Sequence, residues 1–237
     1  TAVGNSINAN LNFVLNVNTE LKRITNLPIA KAEDLIDATQ NLDVFVEVHG
    51  LVKAGAVSII KICNDLRFLS SGPQGGIGEI ILPEMQAGSS IMPGKVNPVI
   101  LENAIQIAEL VKGNDVVISN VAGAGNLELN SFTPLLAHLF LKSLTMMRDM
   151  LKNLSQKCIS GIKANKERCK ENLIRSSAIA ATLINEFGYE KISKIVKEAH
   201  QLNKPFSLML KEKNIIEEKE LLELLQREIG IKIEQSS

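Results

Sequence analysis

From about Lys31 to Leu69 apolar side chains return every three or four residues, through Leu35, Ile36, Ala38, Phe45, Val48, Val52, Ala54, Val57, Ile60, Cys63 and Leu66. That is the repeat of an α-helix with one buried stripe, sustained far beyond the length of a usual helix. Such a stripe needs long partners, so the spacing predicts a bundle whose helices are buried along much of their surface. The chain supplies those partners. Helical periodicity resumes from about Val99 to Ile118, stops around Val121-Ala122-Gly123-Ala124-Gly125, and returns from about Asn130 to Ser160 with Leu135, Leu136, Leu139, Leu141, Leu144, Met147 and Leu151. Aromatic residues make up 3% of the 237, with one tyrosine and no tryptophan, which favours helices over sheets. Past Gly161-Ile162-Lys163 the grain changes: Asn165 to Phe187, Tyr189 to Leu202, Pro205 to Lys211 and Ile216 to Ile229 read as shorter, more charged helices. The expected fold class is all-α, a long-helix bundle over 1–163 followed by a small helical domain over 164–237.

Charge and cysteine usage narrow the function. Lysine plus arginine equals aspartate plus glutamate, 26 each, so no global field draws the chain to nucleic acid or to an anionic membrane. Charges interrupt every apolar run, and none is long enough to span a bilayer. Cys63, Cys158 and Cys169 form no CxxC pair and stand in helical patterns, the usage of a reducing compartment rather than of a disulfide scaffold or zinc site. They read as small core residues. The opening TAVGNSINAN has neither a basic start nor an apolar core, so a cytoplasmic location is expected, and the run reads as the middle of a longer protein. No cluster has metal-ligand spacing, and no cofactor is expected.

Between the helical segments lies Ser70 to Pro98, rich in glycine and proline, and long connections of this kind are often functional. It ends in Gly88-Ser89-Ser90-Ile91-Met92-Pro93-Gly94-Lys95-Val96-Asn97-Pro98. A phosphate-binding P-loop is excluded: five residues separate the glycines, Val96 replaces the magnesium-binding hydroxyl, and no strand precedes. Glycine allows close backbone approach, Lys95 supplies a positive charge and Asn97 an amide donor, together suiting a carboxylate. The serines add hydroxyls that donate, or that remove a proton if positive charge stabilises the alkoxide. The bland alternative is a turn that reverses the chain before the Val99 helix, with Lys95 solvated.

GSSIMPGKVNP is similar to the signature GSSxMPxKxNP of the aspartase/fumarase superfamily. TAVG at residues 1–4, Lys61 to Arg67, Ser70 to Pro73, Gly113-Asn114-Asp115, Leu127-Glu128-Leu129-Asn130 and the Asn165-to-Tyr189 region resemble further landmarks of that superfamily, in the right order. Asp37 to Asn41, Leu69 to Pro73 and Leu82 to Ala87 resemble the aspartase branch. Gly76 to Ile80 and Gly125 to Glu128 read more like class II fumarases. The resemblance implies reversible β-elimination of ammonia from L-aspartate to give fumarate, with malate/fumarate hydration or a non-catalytic oligomerisation scaffold as alternatives. It implies Ser89 as the base that takes a proton next to a carboxylate, with Ser90, Met92, Lys95 and Asn97 as binding residues for that carboxylate. It implies further that Glu102 orients a histidine upstream of this sequence; read alone, Glu102 is a first-turn carboxylate favoured by the helix dipole. His49, His138 and His200 do not align with that histidine, and His49 and His138 read as packed or surface residues. The implied partners are a small dicarboxylate substrate and three further copies in a homotetramer with composite active sites, so this chain alone is expected to be inactive. Two departures stand out: Gln74 where an arginine is usual, and a tail from Arg227 to Ser237 unlike the usual ending.

Overall fold

The computed structural model describes residues 2–72, 75–86, 88, 92 and 95–229. The chain divides into two units, the first Thr1–Arg67 with Leu82–Ile162, the second Phe68–Ile81 with Lys163–Ser237. The segment Phe68–Ile81, which the sequence reading leaves inside the first body, therefore belongs to the second.

In the first unit, α1 (Leu11–Thr25) starts where the Asn10 side chain accepts the Asn12 N–H and stops at Asn26, which turns left-handed at φ 53°. The helical run expected from Lys31 is broken. Asp34 accepts the N–H groups of Ile36 and Asp37, opening the single turn α2 (Asp37–Gln40), and extended Asn41 ends it with its side chain 2.6 Å from Asp37. Short Asx side chains compete with backbone hydrogen bonding in this way, a local effect that apolar periodicity does not register. The long helix α3 runs only from Asp43 to Leu69. It is followed in the bundle by α4 (Val99–Ala122) and by α5 (Thr133–Lys157), which has proline in its first turn, where the missing N–H costs least. Their shared core contains Ala56 and Cys63 of α3, Leu101, Ala104, Ala108 and Val111 of α4, and Met147, Met150 and Leu154 of α5. A smaller cluster joins Leu42, Ile118 and Leu136.

The second unit opens with two strands absent from the sequence reading, β1 (Ile80–Ile81) paired antiparallel with β2 (Lys163–Ala164). Its helices are α6 (Lys166–Arg175), α7 (Ala180–Phe187), α8 (Tyr189–Gln201), α9 (Phe206–Glu212) and α10 (Glu218–Ile229). The single stretch expected from Asn165 to Phe187 thus splits at a 3-10 turn, Ser177–Ile179, where the Ser176 side chain accepts the Ala178 N–H. Gly188, at φ 79°, separates α7 from α8. Leu183, Ile192, Ile195, Phe206, Leu210, Leu221 and Leu225 build the core. Helix α6 holds the incoming segment by its backbone. Arg168 donates to the carbonyls of Gly76 and Ile77 at 3.0 and 3.1 Å, Asn165 to that of Gly78 at 3.0 Å, and Asn172 to that of Ile77 and to the Glu79 carboxylate at 3.1 Å each. All-α remains the class, with two-residue strands as its only sheet among the described residues.

Candidate active site

The glycine- and proline-rich loop enters α4 from its N-terminal side, and the described part of it shows how the loop is closed. The two ends meet at Gly88 and Lys95: a Cβ added at Gly88 would lie 1.2 Å from the Lys95 carbonyl oxygen. No side chain fits there. Asn97 fastens the same junction, its side-chain nitrogen donating to the Gly88 carbonyl at 2.7 Å. The Lys95 N–H donates to the Met92 carbonyl at 3.3 Å, and the Val99 N–H to the Asn97 carbonyl at 2.8 Å. With Pro98 at φ −79° and ψ 53°, the last of these is an inverse γ-turn that aims the chain into α4. The first turn of α4 carries a partial positive charge on the side that the loop approaches.

Of the residues expected to form the site, Ser89 and Ser90 lie outside the described residues. Met92 and Lys95 are exposed, and Lys95 makes no ion pair among the described residues. Asn97 is half-buried and commits one of its two amide hydrogens to closing the loop, a task the sequence reading did not give it. Glu102 sits in the first turn of α4, its carboxylate 3.6 Å from the Arg67 guanidinium of α3, both side chains 41% exposed. Gly88, Lys95 and Asn97 are thus brought together at one junction.

A second polar cluster lies inside the bundle, and sequence reasoning missed it. His49 of α3 is fully buried, and its Nδ1–H points to the Asp115 carboxylate of α4 at 2.9 Å. Lys53, one turn along α3, donates to the other carboxylate oxygen at 2.5 Å. Burial pushes the Asp115 carboxyl up, but the hydrogen bonds from His49 and Lys53 and the Lys53 charge outweigh it and hold the group below the usual carboxylate range. Next to it, Asn114 donates to Ser143 of α5 at 3.0 Å. The available signal was an amide and an acid side by side in the apolar run of α4; nothing local told which helix would answer them. Asn130 acts similarly at the end of α4, its side chain donating to the Val121 and Ala122 carbonyls at 3.0 Å and accepting the Phe132 N–H at 2.9 Å. It joins the α4 C-terminus to the α5 start.

Known proteins share this helical fold. A family model described as Lyase matches residues 1–113. An aspartate ammonia-lyase of Bacillus sp is 39% identical over 225 residues, 95% of this chain and 48% of its own length. The chain belongs to the aspartase/fumarase superfamily of lyases. A second superfamily member, a class II fumarate hydratase of Nitrosomonas europaea, is 42% identical over 200 residues, 84% of this chain and 43% of its own. Among solved structures, a fumarate lyase:delta crystallin of Brucella melitensis matches with a TM-score of 0.87 at 37% identity, covering 95% of this chain and 49% of that one. The chain spans about half the length of the curated relatives it matches.

Proposed function

We propose that the chain is part of an aspartate ammonia-lyase, which removes ammonia from L-aspartate to leave fumarate. Ser89 takes the proton from the carbon next to a carboxylate. The electron pair of the broken C–H bond moves onto that carboxylate as an enediolate, then returns to form the double bond as the C–N bond breaks and ammonia leaves. Lys95 and the remaining Asn97 donor, with Ser90 and the Met92 backbone, take up the charge. Groups that tighten as charge accumulates lower the barrier more than they tighten substrate binding. Glu102 orients a histidine supplied from outside this sequence, and the active sites are composite within a homotetramer. The exposed Leu51, Val116 and Leu141 on the long helices support assembly. The three free cysteines agree with a cytoplasmic setting, and no helix of the described residues is long and apolar enough to cross a membrane.

The choice of substrate is supported by aspartate ammonia-lyases that align along 93–96% of the chain at 39–41% identity, beside a class II fumarate hydratase that aligns along 84% at 42%. The Gly76-to-Ile80 and Gly125-to-Glu128 segments favour fumarate hydratase as the second reading. The test sets L-aspartate beside L-malate, with the full-length protein that contains this chain, following fumarate by its ultraviolet absorbance. Turnover of aspartate alone, abolished by Ser89→Ala with assembly retained, is expected. Turnover of malate alone transfers the assignment to the hydratase, and full activity in Ser89→Ala removes the serine base. The 237-residue chain by itself is expected to be inactive.

A further inference from the structure

We propose that the second unit carries a binding site for a small tetrahedral oxyanion of the phosphate class, in an open surface cleft of about 480 Å³ lined by Ser177 and by the exposed Arg175, His200, Asn203 and Lys204, with Phe206 on its apolar side. The donors come from separate segments: Arg175 ends α6, Ser177 begins the 3-10 turn, His200 lies in the last turn of α8, and Lys204 follows α8. No carboxylate lines the cleft among the described residues, in a chain whose formal net charge is zero. Arg175, Ser177, His200 and Asn203 spend no side-chain donor on another residue among those described. Three of the carbonyls at the end of α8 are already hydrogen-bonded. The Leu202 N–H donates to Glu198 at 2.9 Å, the Asn203 N–H to His200 at 3.2 Å and the Lys204 N–H to Ala199 at 3.0 Å, closed by left-handed Asn203 at φ 50°. What remains unspent is a set of donors, led by a guanidinium fork that fits an oxyanion in two-point contact. Donors delivered from several segments suit a tetrahedral acceptor, open on all sides, better than a planar carboxylate whose lone pairs lie in one plane.

One group competes. The Lys204 ammonium is held by both oxygens of Glu212, at 2.7 and 2.8 Å, in an exposed pair. Such pairs are weak, so an incoming dianion displaces the carboxylate at small cost. This gives two exposed substitutions with opposite expected effects, neither in the loop that carries Ser89. The 237-residue chain is titrated with inorganic phosphate by calorimetry at constant ionic strength, with the Ser177 and Asn203 backbone amides followed by NMR to locate the binding. Saturable binding that moves both amides is expected, weakened about tenfold by Arg175→Gln and strengthened about threefold by Glu212→Gln. Circular dichroism verifies that both variants remain folded. Absence of saturable shifts at Ser177 and Asn203, or equal affinity in Arg175→Gln, overturns the site. Succinate binding more tightly than phosphate overturns its tetrahedral selectivity.

Discussion

Asp115 is 5% exposed and keeps its charge in the bundle because His49 and Lys53 hydrogen-bond it from one face of α3. A carboxyl whose pKa is lowered by folding stabilises the fold above the unfolded value, about 3.9 for aspartate, and that contribution fades as pH falls through the lower folded value. Asp115→Asn should therefore cost about 3 kcal/mol and remove part of the acid limb of stability, measured by denaturant unfolding across acidic pH. An unchanged acid limb would show that the carboxylate contributes nothing there. At Gly88 the limit is steric. Because a Cβ would overlap the Lys95 carbonyl, Gly88→Ala should abolish turnover in the full-length protein while leaving helix content intact. Normal kcat/KM would mean that the loop closes differently when it works. The cysteines offer a third check. Burial, with nearby Cys158 adding to it, pushes the Cys63 thiol up to about 11, and burial raises Cys158 as well. Burial, with the Glu79 charge, raises the Cys169 thiol too, but Cys169 is the one cysteine outside the core, its Sγ donating to the Glu79 carbonyl. A disulfide reagent should label Cys169 first in the native chain and reach all three only in denaturant.

Helix α4 carries two kinds of acid that look alike in sequence. Asp115 is buried and twice hydrogen-bonded, whereas Glu102 meets Arg67 across 3.6 Å with both side chains well exposed. An exposed pair of this kind is worth at most about 1 kcal/mol. Glu102→Gln should then leave the unfolding midpoint nearly unchanged while lowering kcat in the full-length protein, the split expected of a positioning carboxylate. A loss of stability without a loss of rate would reduce Glu102 to an α3–α4 tie. The elements themselves were mostly legible: the periods at Val99, Asn130, Tyr189 and Ile216 each became a helix with ends shifted by a few residues. The exceptions were α1, which the sequence reading lacks, and the breaks at Asn41 and Ser177–Ile179, where short polar side chains hydrogen-bond in competition with the helix over a single turn.

For the molecule as a whole, each unit has a core of its own, so local stability should be read unit by unit. Leu183 is fully buried among α7, α8 and α10 residues, and Leu183→Ala should cost about 3 kcal/mol. Hydrogen exchange should quicken across α7 to α10 while the α4–α5 core keeps its protection; equal loss in both would mean that the two cores unfold as one.

The all-α class and the loop before Val99 were determined by the sequence itself, because the repeat of apolar residues and the clustering of glycine and proline are local properties of the chain. Where polar groups find partners was decided only by tertiary structure. His49 meets Asp115 from 66 positions away, and Arg168 and Asn172 capture Phe68–Ile81 for the second unit across 91 to 95 positions. The loop closure by Asn97 and the unspent Arg175 belong to the same kind. A buried carboxylate or backbone carbonyl must be answered by some donor, but which one depends on the helices that packing brings alongside, and no local propensity encodes that choice.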